Sequence, residues 1–177
     1  MKKNIVLYYS GSGNNRFLAN KIAERLSCEI EEIKPRIHSH PLLLLGTSLG
    51  IKKIKTDISE FDRVILVGPI MVGKFLAPLK SFVKNYSNKI NNMIFVTCCG
   101  SSYEIRDQKF GHGLVFKQVK EIMGDKCIQC EAFPITLVIP EEKRKDPNLV
   151  MSTRLNDDNF KGEILDRFNV FIDKISA

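Results

Sequence analysis

The sequence predicts an α/β protein built on one parallel sheet with helices on both faces. Short runs of apolar β-formers alternate along the chain with amphipathic helical stripes. The run at Val64 to Val67 is apolar without interruption, as in a central strand covered on both sides. A turn rich in glycine and small polar side chains joins the first run to the first stripe. At 177 residues the chain is most simply one domain, 1–177, long enough to bury a substantial core.

The elements follow in order. Ile5 to Tyr9 is too short for a helix and rich in β-formers, so it reads as the first strand. After the turn, Leu18, Ile22 and Leu26 recur every fourth residue and mark the first helix. Glu29 to Ile33 reads as the second strand. Arg63 to Gly68 carries Val64, Ile65, Leu66 and Val67 unbroken, as a central strand does. Met93 to Cys98 and Ala132 to Ile139 have the same character. Helical stripes lie between and after them: Leu76, Leu79, Phe82, Val83 and Tyr86; Val115, Val119, Ile122 and Met123; and Ile164, Phe168, Phe171, Ile172 and Ile175. The polar, charged stretch from Pro140 to Asp158 reads as a long surface loop.

The first turn carries the chemistry. Between a buried strand and a helix, Ser10-Gly11-Ser12-Gly13-Asn14-Asn15 aims backbone N–H groups and the positive end of a helix dipole at one spot. The side chains of Ser10, Ser12, Asn14 and Asn15 are expected to add donors, which makes an anion pocket without a lysine. A dinucleotide-binding G-x-G-x-x-G would place its third glycine at Arg16, whose side chain obstructs close helix–strand packing, although Glu31 and Glu32 stand where a ribose-binding acid would be expected. A Walker A pattern is absent from this turn.

Ser10 to Asn15 resembles the phosphate loop of the flavodoxin family, Thr/Ser-x-Thr/Ser-Gly-x-Thr/Ser directly after the first strand, with Asn15 replacing the last hydroxyl. Gly68-Pro69-Ile70-Met71-Val72-Gly73-Lys74, leading into Pro78-x-x-x-Phe82, is similar to that family's second flavin loop. Thr97-Cys98-Cys99-Gly100-Ser101-Ser102-Tyr103 is similar to its third. The resemblance covers residues 4 to 103 and is topological beyond them. It implies a flavodoxin-like three-layer sandwich with a five-stranded parallel sheet of order 2-1-3-4-5, whose ligand crevice lies at the carboxyl ends of strands one, three and four. It also implies FMN as cofactor, with residues 10 to 15 on the phosphate, 70 to 74 over one face of the ring and 98 to 103 on the other side. Families of this fold usually wall the ring with Trp or Tyr. This chain has no Trp, so Met71 and Tyr103 are the expected walls.

Other motifs carry less. Residues 68 to 75 imitate Gly-x4-Gly-Lys, but Pro69 lacks an N–H, Ile70, Met71 and Val72 are bulky, and Phe75 stands where a magnesium-binding hydroxyl is needed. Cys127-Ile128-Gln129-Cys130 has dithiol spacing, yet it is expected to precede a strand and not to open a helix, so a plain structural reading is favoured. Cys98 and Cys99 end a central strand and serve as small apolar residues, one of them lining the flavin pocket through its backbone. His38, His40 and His112 have no ligand partners at metal spacing, so no metal site is expected and loop or surface positions are the default. His112 alone falls near the expected active edge, and it is the candidate proton donor in quinone reduction.

Composition bounds the partners. With 27 Lys and Arg against 20 Asp and Glu, the formal charge is +7, opposite to acidic electron-carrier flavodoxins. The field favours an acidic redox protein or the phosphates of NAD(P)H. Basic residues are dispersed without aromatic interleaving, which argues against nucleic acid. An odd number of cysteines, five, argues against a secreted disulfide framework. The apolar run after Met-Lys-Lys is too short for a signal core and none reaches ~20 residues, so a soluble, cytoplasmic protein without a membrane partner is expected. The functional expectation is electron transfer through FMN. The alternatives are an FMN-dependent NAD(P)H:quinone-type oxidoreductase and a flavin-free interaction domain. The oligomeric state stays open, a homodimer included.

Overall fold

The computed structural model describes residues 2–37 and 50–176. His38 and His40 lie outside the described residues. Strands β1 (Asn4–Tyr8), β2 (Glu29–Glu32), β3 (Arg63–Val67), β6 (Asn92–Cys99) and β7 (Cys127–Pro134) form one parallel sheet in the order β2-β1-β3-β6-β7. Counted among the sheet's own five strands, this is 2-1-3-4-5. A separate two-residue hairpin, β4 (Ile70–Met71) and β5 (Lys74–Phe75), rises from the end of β3. The helices are α1 (Asn14–Leu26), α2 (Ala77–Tyr86), α3 (His112–Met123), α4 (Pro147–Ser152) and α5 (Glu163–Ser176).

Period-two alternation divides the strands between two cores. Ile5, Leu7, Val64, Leu66 and Phe95 face one side and pack with Leu79, Phe82 and Val83 of α2 and Val115 and Val119 of α3. Val6, Ile65, Val67, Ile94 and Val96 face the other, against Leu18 and Ile22 of α1 and Phe168, Phe171 and Ile172 of α5. Each such side chain contributes about 1.5 to 3 kcal/mol on burial, which is why β1, β3 and β6 carry unbroken apolar runs. No helix among the described residues is long and apolar enough to cross a membrane.

The structure corrects several expectations. The fifth strand is Cys127–Pro134, not Ala132 to Ile139. Because β7 is an edge strand it tolerates Gln129 and Glu131, which break the apolar signal at its start. Beyond Pro134 the apolar run continues as the 3-10 turn Ile135–Val138. Cys127 and Cys130 therefore lie within a strand and do not precede one. Ile122, read into the buried stripe of α3, is 48% exposed. Pro140 to Asp158 is not a single loop: a 3-10 turn covers Glu141–Lys143, and α4 starts at Pro147, where the Asp146 carboxylate accepts the N–H groups of Asn148 and Leu149. His112 is not a surface residue but fully buried.

Candidate functional site

Parallel strands all point the same way, so β1, β3 and β6 deliver the 10–13 turn, the β4–β5 hairpin and the 100–111 loop to one edge of the sheet. At the first turn the chain must reverse from strand to helix in four residues. Gly13 permits this with φ +98, a value that side-chain-bearing residues rarely adopt. The Ser10 hydroxyl accepts the Gly13 N–H at 3.1 Å and closes the turn. No side chain caps α1, and no acid lies in its first turn. The N–H groups of Asn14, Asn15 and Arg16 have no carbonyl four residues back inside the helix, and positions 11 and 13 have open space where a Cβ would stand. The positive end of the dipole is left for an anion from outside.

The two asparagines do something other than the sequence suggested. Asn15 is buried; its amide donates to the Cys98 carbonyl at 3.1 Å and its Oδ1 accepts the Cys98 N–H at 2.8 Å. Asn14 repeats the pattern on the other side, donating to the Thr153 carbonyl at 3.2 Å and accepting the Leu155 N–H at 3.0 Å. These carboxamides act as peptide groups that clamp the turn to β6 and to the 153–155 segment. Their side chains are committed to these contacts, while their backbone N–H groups lie in the uncapped first turn of α1. The Cys98 backbone N–H and carbonyl are thus both engaged by the Asn15 carboxamide. Thr97 has no exposed surface and belongs to the sheet interior.

The hairpin after β3 turns through Val72 (φ +50) and Gly73 (φ +65), both left-handed. A β-branched side chain at such a φ costs of order 1–3 kcal/mol. The strained turn is held by Gln118 of α3, whose Oε1 accepts the Phe75 N–H at 3.2 Å and whose Nε2 donates to the Gly73 carbonyl at 3.0 Å. Gly73 also abuts Lys109, since a Cβ there would stand 2.8 Å from the Lys109 carbonyl. Pro69 and Ile70 are half-buried, while Met71, Val72 and Lys74 are exposed at the tip.

The third loop folds back tightly. The Gly113 N–H donates to the Arg106 carbonyl at 2.9 Å, and Gly111 passes so close to Arg106 that no side chain fits. His112 Nδ1 and the Ser101 hydroxyl lie 2.9 Å apart, with Cys99 Sγ 3.4 Å from that hydroxyl. Burial pushes the Cys99 thiol up to about 11 and raises that of Cys98 well above the ordinary thiol value, so both stay protonated. Tyr103, expected to wall the ring, has its hydroxyl on the Ala132 carbonyl at 2.6 Å, its ring edge-on to His112 and the Arg167 guanidinium 4.3 Å from its centroid. Both ring and hydroxyl are thus engaged on the β7 side of the loop.

No protein-family model and no curated protein matches the sequence. Solved structures do match. A flavoprotein from Lactobacillus acidophilus in complex with FMN superposes with TM-score 0.62 at 18% identity, over 75% of this chain and 93% of that one. A flavodoxin from the Archaea gives 0.50 at 12% identity, over 96% and 94%. A Streptococcus pneumoniae flavodoxin gives 0.50 at 11% identity, over 98% and 96%. The chain has the flavodoxin-like fold.

In a flavodoxin-like sheet, neighbouring connections leave on opposite faces where the strand order reverses, and a crevice opens at the carboxyl ends there. Here that position is between β1 and β3, where the 10–13 turn and the β4–β5 hairpin stand. Two contributors escaped the sequence reading. Gln118 lies in α3, far along the chain from the hairpin it braces. The 147–155 segment packs Val150 beside Gly100, with Val150 Cγ1 3.2 Å from where a Cβ would stand, and supplies both partners of Asn14. Its Asp146-Pro147 start, followed by Leu149, Val150 and Met151, was the available helix signal.

Proposed function

We propose that the chain binds FMN at the carboxyl ends of β1, β3 and β6 and serves in electron transfer between a reductant and an acceptor. The uncapped N-terminus of α1 beyond Gly13 carries this reading: it is an anion site at the fold's ligand crevice, with no cationic side chain needed to complete it. The residues present fit the group. The N–H groups of Ser12, Asn14, Asn15 and Arg16 would hold the phosphate, and the exposed apolar pair Met71 and Val72 would cover one face of the ring. Gly100, with the α4 segment beside it, would border the other side. The Lactobacillus neighbour, which holds FMN, supports the same cofactor here.

Bound FMN supplies reversible electron acceptance and donation. The chain's own part is to hold the ring, to exclude water with the hairpin and to set the local charge. Lys74 stands beside Met71 in the hairpin register, with Arg106 and Lys109 in the adjoining loop. Together with the formal charge of +7, these favour an acidic protein partner over the basic partners that acidic carriers use. The exposed Val72, Ile105 and Phe110 give that face its apolar contact.

The test is uptake of FMN by the purified chain, followed by visible absorption and loss of free-flavin fluorescence after desalting. A protein-bound flavin spectrum near one equivalent is expected. A colourless protein after incubation with excess FMN overturns the assignment. Sustained NAD(P)H oxidation with a quinone would make the chain an enzyme and not a shuttle.

A further inference from the structure

Two residues three apart on a regular strand face opposite sides of the sheet, but Cys127 and Cys130 do not. The β6–β7 register shifts between Met93 and Ile94, which pair with Cys127 and Gln129 and leave Ile128 as an extra, half-exposed residue. This bulge turns both cysteines to the same core and brings their sulfurs to 3.5 Å. Bulges re-aim side chains and are rare between parallel strands, so the pairing is a specific product of this strand.

Cys130 also lines a cavity of about 390 Å³ on the β7 side of α3, to which neither the 10–13 turn nor the hairpin contributes. Its walls carry Arg106, Lys117, Lys120 and Arg167 against Asp107 and Glu131. Arg167 is paired with Glu131, and Arg106 lies 4.0 Å from Asp107. Lys117 and Lys120 have no carboxylate within ion-pair distance among the described residues, so the cavity keeps a positive field. His112 is a further wall residue, and its buried Nε2 has no hydrogen-bond partner among the described residues.

We propose that Cys127 and Cys130 form a two-electron dithiol that exchanges with a small anionic disulfide held in this cavity. The sulfur of Cys130, the cysteine of the pair that lines the cavity, attacks one sulfur of R–S–S–R as a thiolate. That S–S bond breaks, RS⁻ leaves with the electron pair, and Cys130–S–S–R forms. Cys127 then loses its proton, its sulfur attacks Cys130 Sγ, and the second RS⁻ leaves. The two protons from the cysteines end on the two thiols released, so one disulfide is reduced as the dithiol is oxidised. The hydrogen bond from Cys130, then the charge of Lys120, lower the pKa of Cys127, while the same bond and burial raise that of Cys130. The pair's first proton therefore leaves from Cys127, and Cys130 becomes the attacking thiolate by passing its own proton to Cys127 across the 3.5 Å contact. The second proton is held until attack begins.

The experiment uses the full chain, with and without FMN, and two probes: glutathione disulfide, which is anionic, and cystamine, which is cationic. With glutathione disulfide, titratable thiols should fall from five to three, and peptide mapping should find Cys127 joined to Cys130. Relative to a free cysteine peptide, glutathione disulfide should react at least tenfold faster than cystamine, and the double variant Lys117→Glu, Lys120→Glu should abolish that preference. Cys127→Ser should stop at one glutathione on Cys130, whereas Cys130→Ser should leave position 127 unmodified because Cys127 is buried. The proposal is overturned if glutathione lodges on Cys28 first, if wild type stops at the mixed disulfide, or if the two probes react alike. FMN uptake plays no part in these readouts, so failure here leaves the flavin assignment standing, and the reverse holds too.

Discussion

The carboxamide of Asn15 makes two hydrogen bonds to the backbone of Cys98, at 3.1 and 2.8 Å, where β6 runs past the end of β3. The last bond from the β3 side is that of Gly68 N–H to the Val96 carbonyl. Cys98 has the same strand parity and points its backbone groups the same way. Asn15 thus stands in for the missing strand residue and ties the start of α1 to the end of β6.

Replacing Asn15 tests this. Asn15→Ala leaves a buried N–H and a buried carbonyl unpaired and should cost about 2 to 4 kcal/mol of stability. Asn15→Asp keeps one bond but sets a carboxylate against the Cys98 carbonyl, and should cost at least as much at pH 7. Urea denaturation midpoints measure both. Unchanged midpoints would show that the clamp contributes nothing.

The same finding shows what the sequence could and could not give. Unbroken apolar runs made β1, β3 and β6 legible, and Gly13 between strand and helix marked the turn. Asn14 and Asn15 were read as anion donors because residue type alone does not say which way a side chain faces. Both face inward, to partners 83 and 139 to 141 residues away. For the same reason the partners of Tyr103, which are Ala132, His112 and Arg167, could not be read from its residue type. The fifth strand was shifted because an edge strand mixes polar and apolar residues, while the apolar turn after Pro134 imitates a strand.

Introducing negative charge at the α1 N-terminus should remove FMN. Two unit charges 4 Å apart repel by about 4 kcal/mol at an effective dielectric of 20. Gly13→Asp should therefore weaken affinity at least a hundredfold. Ser12→Asp is the companion, since Ser12 is exposed and free of the Gly13 backbone constraint. Lys74→Ala should change affinity little if the N-terminus alone holds the phosphate. Flavin fluorescence titration separates these cases.

Strain at Val72 predicts opposite effects on stability and binding. Asn adopts a positive φ far more readily than a β-branched residue. Val72→Asn should raise stability by about 1 kcal/mol and weaken FMN binding by removing an apolar wall. A rise in the thermal midpoint together with unchanged FMN affinity would remove Val72 from the ring site.

His112 should make stability pH-dependent. Burial, then the charges of Arg106 and Arg167, hold its pKa below the ordinary 6.5. The unfolded chain then binds more protons than the folded one between that lowered value and 6.5, so stability rises with pH through this window and is lost as pH falls through it. His112→Gln should flatten this part of the profile. Parallel wild-type and variant profiles in urea would contradict the assignment.

The central claim is that FMN is held by its phosphate at the bare N-terminus of α1. It is tested most directly by titrating the full chain with FMN and with riboflavin, which carries the same ring without the phosphate. The account predicts one-to-one binding of FMN, riboflavin at least a hundredfold weaker, and loss of that difference in Ser12→Asp. Equal affinity for the two flavins, or no affinity for either, would contradict it.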